Sequence, residues 1–389
     1  MLRRQSAGGF WREPGMNTVA NPVSLWWGSR DPASPLVVVF QGGNITRDAT
    51  DDATEGLFAR HLPSGVRYAL VHVPPASPGV PGPGCAAFHR WLEDQLAPEV
   101  PIVLVGFGSG VAIAGGLVLT EPARFAAAAL LYGALPLDKG LPSERGQLAG
   151  VPIFLVQGAH DLAAPVELQR WTWNYLVRES GSPLWAQREP TGCQLTARTV
   201  SGLAGWIEAR LGYMQRNPGQ LGAASAGQAS WPTLPRGRLP VRHGDPPEVS
   251  ITTPQQQESQ NAPAEIQERL YSRIVQLDGV VTVPSAISVD GSRGFILSPA
   301  DVRGPGEAFL VPDLGEFAHL HPGYDGSLHL ALPMPLARDA LAQGWAVAHP
   351  LAGLRLPAGA VMIFGPRDGD ELETVTGIVR ASHAYAASR

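Results

Sequence analysis

Between residues 36 and 211, short unbroken apolar runs alternate with longer segments of helical period, and this limits the fold more than any other feature of the chain. Residues 36–40 (LVVVF), 68–73 (YALVHV), 102–105 (IVLV), 127–131 (AAALL) and 151–156 (VPIFLV) read as strands. They are continuous rather than alternating, as strands of a parallel sheet covered on both faces are. Helical patterns fill the intervals at 86–96, 109–119, 166–178 and 200–211. Strand and helix in repeated succession predict a doubly wound α/β domain over 35–212, preceded by an N-terminal extension, 1–34.

The character changes at 213–262, a stretch rich in Gln, Pro, Gly and Ser without a sustained apolar period, which reads as a linker. Over 263–389 the pattern returns as a smaller α+β domain. Its expected helices are 264–277, 336–343 and a closing 370–385 with Leu372, Val375, Ile378 and Val379 on one face. Strands are expected near 280–283, 295–297, 308–311, 317–321, 328–332 and 360–364.

Several function classes drop out on composition. A hydrophobic share of 44% and a charged share of 16% are globular values. The net charge of −5 leaves no basic footprint for nucleic acid. No run reaches the ~18–20 apolar residues of a membrane span. Only Cys85 and Cys193 occur, which excludes a disulfide framework and suits a reducing, cytoplasmic setting. The expected partner is a small-molecule substrate.

Gly106-Phe107-Gly108-Ser109-Gly110 follows a strand and opens a helix, where a nucleophile elbow of pattern G-x-S-x-G sits. The nucleophile position is Gly108. Together with Gln41-Gly42-Gly43 and Gln157-Gly158-Ala159-His160-Asp161, this half resembles the carboxylesterase/phospholipase branch of the α/β-hydrolase family. The resemblance places the family's acid at Asp161, its oxyanion loop at Gln41–Gly43, and its histidine at Thr191-Gly192-Cys193-Gln194. No histidine occurs between His160 and His243. A strained elbow exposes a serine Oγ, whereas glycine takes such angles without steric cost. Ser109 falls one residue late and reads as a helix-start serine, and a serine without a base is not a nucleophile. Gly108, Ser109, Asp161, Cys193 and Gln194 therefore read as a degenerate hydrolase site. Asp161 as a turn cap and Cys193 as a small hydrophobe are the plainer readings.

Four of the ten histidines lie between His319 and His349. In 317–332 (FAHLHPGYDGSLHLAL) a Pro-Gly-x-Asp-Gly turn joins two strand patterns, which predicts a β-hairpin. Setting His321 across from His329 puts the apolar residues on one face and His319, His321, His329 and Ser327 on the other. Clustered imidazoles suit a divalent transition metal, completed by His349 or Glu316. Glu316 is on the wrong face unless a bulge intervenes. Histidines that hydrogen-bond without metal, or line a solvated face, are the plainer alternative.

The motifs EFAHLH (316–321), SLHLAL (327–332), GW (344–345), HPLAG (349–353), GPR (365–367) and DELE (370–373) are similar to the fungal luciferase family, over about 310–386. That resemblance implies a cofactor-free oxygenase adding molecular oxygen to an electron-rich hydroxypyrone with loss of carbon dioxide. Forming the enolate needs a base near neutral pH, for which His321 or His329 is the candidate, with His319 and His349 beside them. Arg367 can hold the enolate or carboxylate oxygens, or pair with Asp368 or Asp370 at the surface. Tyr324 and Trp345 can stack on an aromatic substrate, although Trp345 also suits the core. The leading expectation is a luciferase-like oxygenase acting on a small enolisable aromatic, pyrone or polyketide. Two others stand beside it: a non-catalytic ligand-binding or scaffold protein, and a metal-dependent hydrolase or lyase using the His319/His321/His329 face.

Overall fold

The computed structural model describes residues 23–42, 61–73, 88, 90–92, 99–161, 164–190, 192–218, 231–234 and 237–388. The chain divides into two compact units. The first comprises Met1–Ser143, Val151–Tyr175 and Ala186–Gly222; the second comprises Glu144–Gly150, Leu176–Trp185 and Ala223–Arg389. Among the described residues no helix is long and apolar enough to cross a membrane.

The first unit is organised by a seven-stranded sheet in the order β1-β3-β2-β4-β5-β6-β7. Its strands are β1 (Val23–Gly28), β2 (Leu36–Gly42), β3 (Arg67–Val73), β4 (Ile102–Phe107), β5 (Ala127–Leu131), β6 (Ile153–Gly158) and β7 (Leu184–Glu189). The run β3-β2-β4-β5-β6 is parallel, and β2, β4, β5 and β6 are buried along their whole length. Both faces of these strands are covered, which is why they read as unbroken apolar runs. Helix α1 (Gly110–Thr120) buries Val111, Ala114, Leu117, Val118 and Leu119, and α2 (Val166–Arg178) and α3 (Ala197–Arg216) follow. Thr196 caps α3 by accepting from the Thr199 amide at 3.1 Å.

The predicted strands and three of the predicted helices of this unit are present. The fourth predicted helix, 86–96, falls largely outside the described residues. The sequence reading missed β1 and β7. Strand β1 lies in the stretch expected to be an extension and pairs antiparallel to β3 at the sheet edge. Strand β7 is half-exposed with charged residues along it and so presents no buried apolar run, whereas β1 does bury Trp26 and Trp27.

The second unit is built on a six-stranded sheet, β12-β13-β11-β10-β9-β8. Its strands are β8 (Val280–Pro284), β9 (Arg293–Leu297), β10 (Glu316–Leu320), β11 (Leu328–Ala331), β12 (Ala346–Ala348) and β13 (Ala360–Ile363), each paired antiparallel to its neighbour. Helices α4 (Ala264–Ile274), α5 (Met334–Ala342) and α6 (Gly369–Ala387) share one core with Phe317, Leu320, Leu328 and Leu330 of the sheet. Asp368 starts α6 by accepting from the amides of Asp370 and Glu371 at 3.0 and 2.9 Å. The face Leu372, Val375, Ile378 and Val379 is buried as expected.

Two expectations fail here. The strand expected at 308–311 is a 3-10 turn, Gly306–Ala308, followed by a single bridge from Val311 to Glu316. Pro305 and Pro312 flank it and remove the donors a ladder would need. The stretch expected to be a linker also does not stay apart from the fold. Leu239, Arg242, Gln255 and Gln257 are buried, and Val249 bridges to Gln257. Amide side chains hold this segment: Gln257 Oε1 accepts from the Gly365 amide at 2.9 Å, and Gln255 Nε2 donates to the Ala348 carbonyl at 3.3 Å. A search for apolar periods is blind to such anchoring.

Candidate functional site

In the first unit the turn from β4 into α1 keeps a left-handed backbone at Gly108. Gly108 sits at φ +59°, the left-handed conformation an elbow imposes, and its amide donates to the Leu131 carbonyl at 3.0 Å. A Cβ at Gly108 would lie 3.6 Å from Cys193 Sγ and only 2.8 Å from the Gly42 carbonyl oxygen. Cys193 thus stands beside the nucleophile position, where a base would be needed. Ser109 has helical backbone angles at the start of α1, and its buried Oγ has no hydrogen-bond partner among the described residues. Asp161 is buried and Gln194 is exposed. Although Cys193 as a residue reaches solvent, desolvation of its thiol, reinforced by the Asp161 carboxylate, pushes its pKa up to about 11.

Two outcomes follow for this site. A fluorophosphonate serine probe should leave the protein unlabelled; stoichiometric labelling at Ser109 would restore the active-hydrolase reading. At pH 8 a thiol raised to about 11 is almost wholly protonated. Cys193 should therefore alkylate with iodoacetamide roughly a hundredfold more slowly than an unperturbed cysteine, and accelerate as pH rises toward 11. Peptide mass spectrometry reads this, and a normal rate at pH 8 would contradict it.

The histidine site of the second unit grows from the β10–β11 hairpin. Ala318 pairs with Leu330, His319 with His329 and Leu320 with Leu328. The register differs by two residues from the one expected, which set His321 across from His329. The His321 amide instead donates to the Ser327 carbonyl at 2.9 Å, and the turn tightens to 322–326 with Gly326 at φ +75°. A two-residue shift keeps the parity of a pleated strand. The apolar face and the histidine face are therefore as expected. Glu316 joins the histidines through a register shift between Glu316 and Ala318, the bulge its inclusion required.

Each ring is oriented by a partner. Glu316 Oε1 lies 2.9 Å from His319 Nδ1, and Glu316 also accepts from Ser285 Oγ at 2.7 Å and the Ala286 amide at 3.0 Å. Asp325 Oδ2 lies 2.7 Å from His321 Nδ1, and Asp325 Oδ1 accepts from Ser327 Oγ at 2.6 Å. His349 Nδ1 accepts from the Leu351 amide at 3.0 Å. His329 faces His319 through Nδ1 at 3.1 Å and Gln255 Oε1 through Nε2 at 3.2 Å. The His321–His329 and His329–His349 ring centroids are 4.7 and 4.9 Å apart.

Burial sets the charge state. Desolvation lowers His319 despite the opposing hydrogen bond from Glu316, and it lowers His329 well below the ordinary imidazole range, helped by the other histidines. Desolvation brings His349 down to about 3. Burial alone would raise the carboxyls of Glu316 and Asp325. Hydrogen bonds from His319, Ala286 and Ser285 in one case, and from His321 and Ser327 in the other, outweigh it and hold both below the usual range. Burial thus favours the neutral form of His319, His329 and His349, while the carboxyls of Glu316 and Asp325 are held ionised.

Three expected site residues do not join this cluster. The Arg367 nitrogens are taken up by Glu371, Gln260 Oε1 and the His243 carbonyl. Its carboxylate partner is Glu371 rather than Asp368 or Asp370. Trp345 is core, its Nε1 donating to the Pro240 carbonyl at 2.6 Å. Tyr324 is exposed and its hydroxyl accepts from Gln256 Nε2 at 2.9 Å. Conversely, sequence reasoning missed Asp325, treated as a turn residue, and Gln255, placed in the linker. Asp325 had a signal, lying four residues after His321 across a tight turn; Gln255 had none.

Comparison with known proteins falls on the same two regions. Residues 314–382 match the family model described as Luciferase domain, and residues 89–181 match Phospholipase/Carboxylesterase. The chain carries an esterase-like α/β-hydrolase domain and a luciferase-like domain. A luciferase of Armillaria ostoyae is 40% identical over 73 residues, which is 18% of this chain and 27% of that protein. One from Neonothopanus nambi is 38% identical over 73 residues, with the same shares. The chain thus spans only about a quarter of the length of these curated relatives. Among solved structures, a carboxylesterase from Mesorhizobium loti is 18% identical, covers 44% of this chain and 88% of its own, and has a TM-score of 0.35. The Bacillus cereus carboxylesterase is also 18% identical, covers 47% and 92%, and has the same TM-score.

Proposed function

We propose that the second unit is an oxygenase that adds molecular oxygen to a small enolisable aromatic, pyrone or polyketide, and that the first unit contributes no serine chemistry. The observation that carries this reading is the buried cluster of His319, His321, His329 and His349, all within the segment that matches the luciferase domain. A substrate enolate needs an acceptor for the departing proton and a donor for the oxyanion. The cluster offers both. His349 receives the Leu351 amide on Nδ1, so its neutral ring presents Nε2–H as a donor. His319 and His321 are held by carboxylates at Nδ1 and keep Nε2 unprotonated when neutral. Gln255, the partner of His329 Nε2, lines a small cavity of the second unit together with Ala348, Pro350, Ser250, Ile251 and Ser182.

The test is oxygen consumption by the full chain with an enolisable hydroxypyrone. Uptake is expected, and His321→Ala should lower it on the order of 10²-fold or more at unchanged fold. A folded wild-type chain that consumes no oxygen with such substrates would overturn the reading.

A further inference from the structure

The ring protons of the cluster can be assigned, and the assignment leaves an unresolved contact. Glu316 accepts from His319 at Nδ1, so the neutral ring of His319 carries its lone pair on Nε2. The orientation of the Gln255 amide is set independently of the histidines, because Nε2 donates to the Ala348 carbonyl. Oε1 is therefore the atom that faces His329 Nε2, and an amide oxygen only accepts. His329 must place its proton on Nε2 and its lone pair on Nδ1. The two lone pairs, His319 Nε2 and His329 Nδ1, then point at each other across 3.1 Å, with no proton to share. His321 adds a third, since Asp325 and Ser327 occupy its Nδ1 and leave Nε2.

We infer that His319, His321 and His329 are the three protein ligands of a divalent first-row transition metal ion. One nitrogen from each of the three rings lies within 4.8 Å of the others. Two nitrogens held at about 2.1 Å by one tetrahedral ion stand about 3.4 Å apart, close to the His319–His329 separation. Three neutral imidazoles on one side of an ion suit zinc, iron, copper or nickel and leave coordination positions for an outside ligand. Glu316 and Asp325 are the carboxylates that metal-binding histidines engage through their other ring nitrogen. Gln255 does the same for His329. His349 is not a ligand. Its Nδ1 receives an amide proton, so its Nε2 carries hydrogen and serves as a donor to whatever the ion binds.

This inference rests on the hydrogen-bond geometry and not on the oxygenase reading; with an ion bound, the Nε2 lone pairs of His319 and His321 would be its ligands, and a hydroxide at its open position would take the place of those rings as proton acceptor. The test uses the full chain, stripped with chelator and titrated with Co²⁺ alone, following calorimetry and the visible absorption of the bound ion. One equivalent is expected. His319→Ala and His321→Ala should each abolish binding, and His349→Ala should keep one equivalent. Should an alanine variant not fold, Glu316→Gln and Asp325→Asn, which keep side-chain volume, are each expected to weaken binding 10–100-fold. A folded wild-type chain that takes up no Co²⁺ overturns the inference, as does binding unaffected by these variants or lost in His349→Ala. Oxygen uptake by a folded chain that takes up no Co²⁺ would overturn it while leaving the oxygenase reading in place. Stoichiometric metal without oxygen uptake would do the reverse.

Discussion

Replacing Glu371 with alanine is expected to destabilise the second unit by about 3–5 kcal/mol, the cost of breaking a buried ion pair from one side. Arg242 is the reason. Its side chain is 2% exposed, its Nε lies 3.3 Å from Glu371 Oε1, and its guanidinium sits 5.3 Å above the Phe364 ring. Burial already pulls its pKa below the ordinary value, with the Glu371 carboxylate as the main opposing influence. Without that carboxylate a cation is left in the interior, uncompensated. Arg367 shares Glu371 but is 34% exposed and can turn to water, so Arg367→Ala should cost no more than about 1 kcal/mol. Replacing Arg242 and Glu371 together with Met and Leu should recover most of the loss. Denaturant unfolding of the full chain reads all three. A Glu371→Ala protein within about 1 kcal/mol of wild type would show that Arg242 is solvated, and that residues 239–245 are not anchored as described.

The second large effect separates two neighbours on one strand. Leu330 is fully buried in the core that β10 and β11 share with α4 and α6, so Leu330→Ala should cost about 2–5 kcal/mol. His329 faces the other way. His329→Leu removes a polar ring of similar bulk and leaves Gln255 Oε1 without its donor, a cost of about 1–3 kcal/mol at most. Its functional effect should be the larger one, with loss of turnover and of Co²⁺ binding together. If Leu330→Ala is silent and His329→Leu unfolds the protein, the pleat is inverted and every role given to the histidine face falls with it.

Much of this was legible in the chain alone, for identifiable reasons. Unbroken apolar runs mark strands covered on both faces, so β2 to β6 announced themselves. Period-two alternation carried the parity of the β10–β11 hairpin, and parity alone brings His319, His321 and His329 to one face. The absence of a serine at position 108, and of any histidine between His160 and His243, needed no coordinates. What the sequence could not carry was distance along the chain. Gln255 reaches His329 across 74 residues, Arg242 reaches Glu371 from a stretch with no apolar period, and Glu316 turns inward only because a bulge shifts its register. Hydrophobic burial is roughly additive and leaves a periodic trace in sequence. A buried polar contact depends on two particular atoms meeting in one geometry, so only the tertiary structure decides which polar residues become partners.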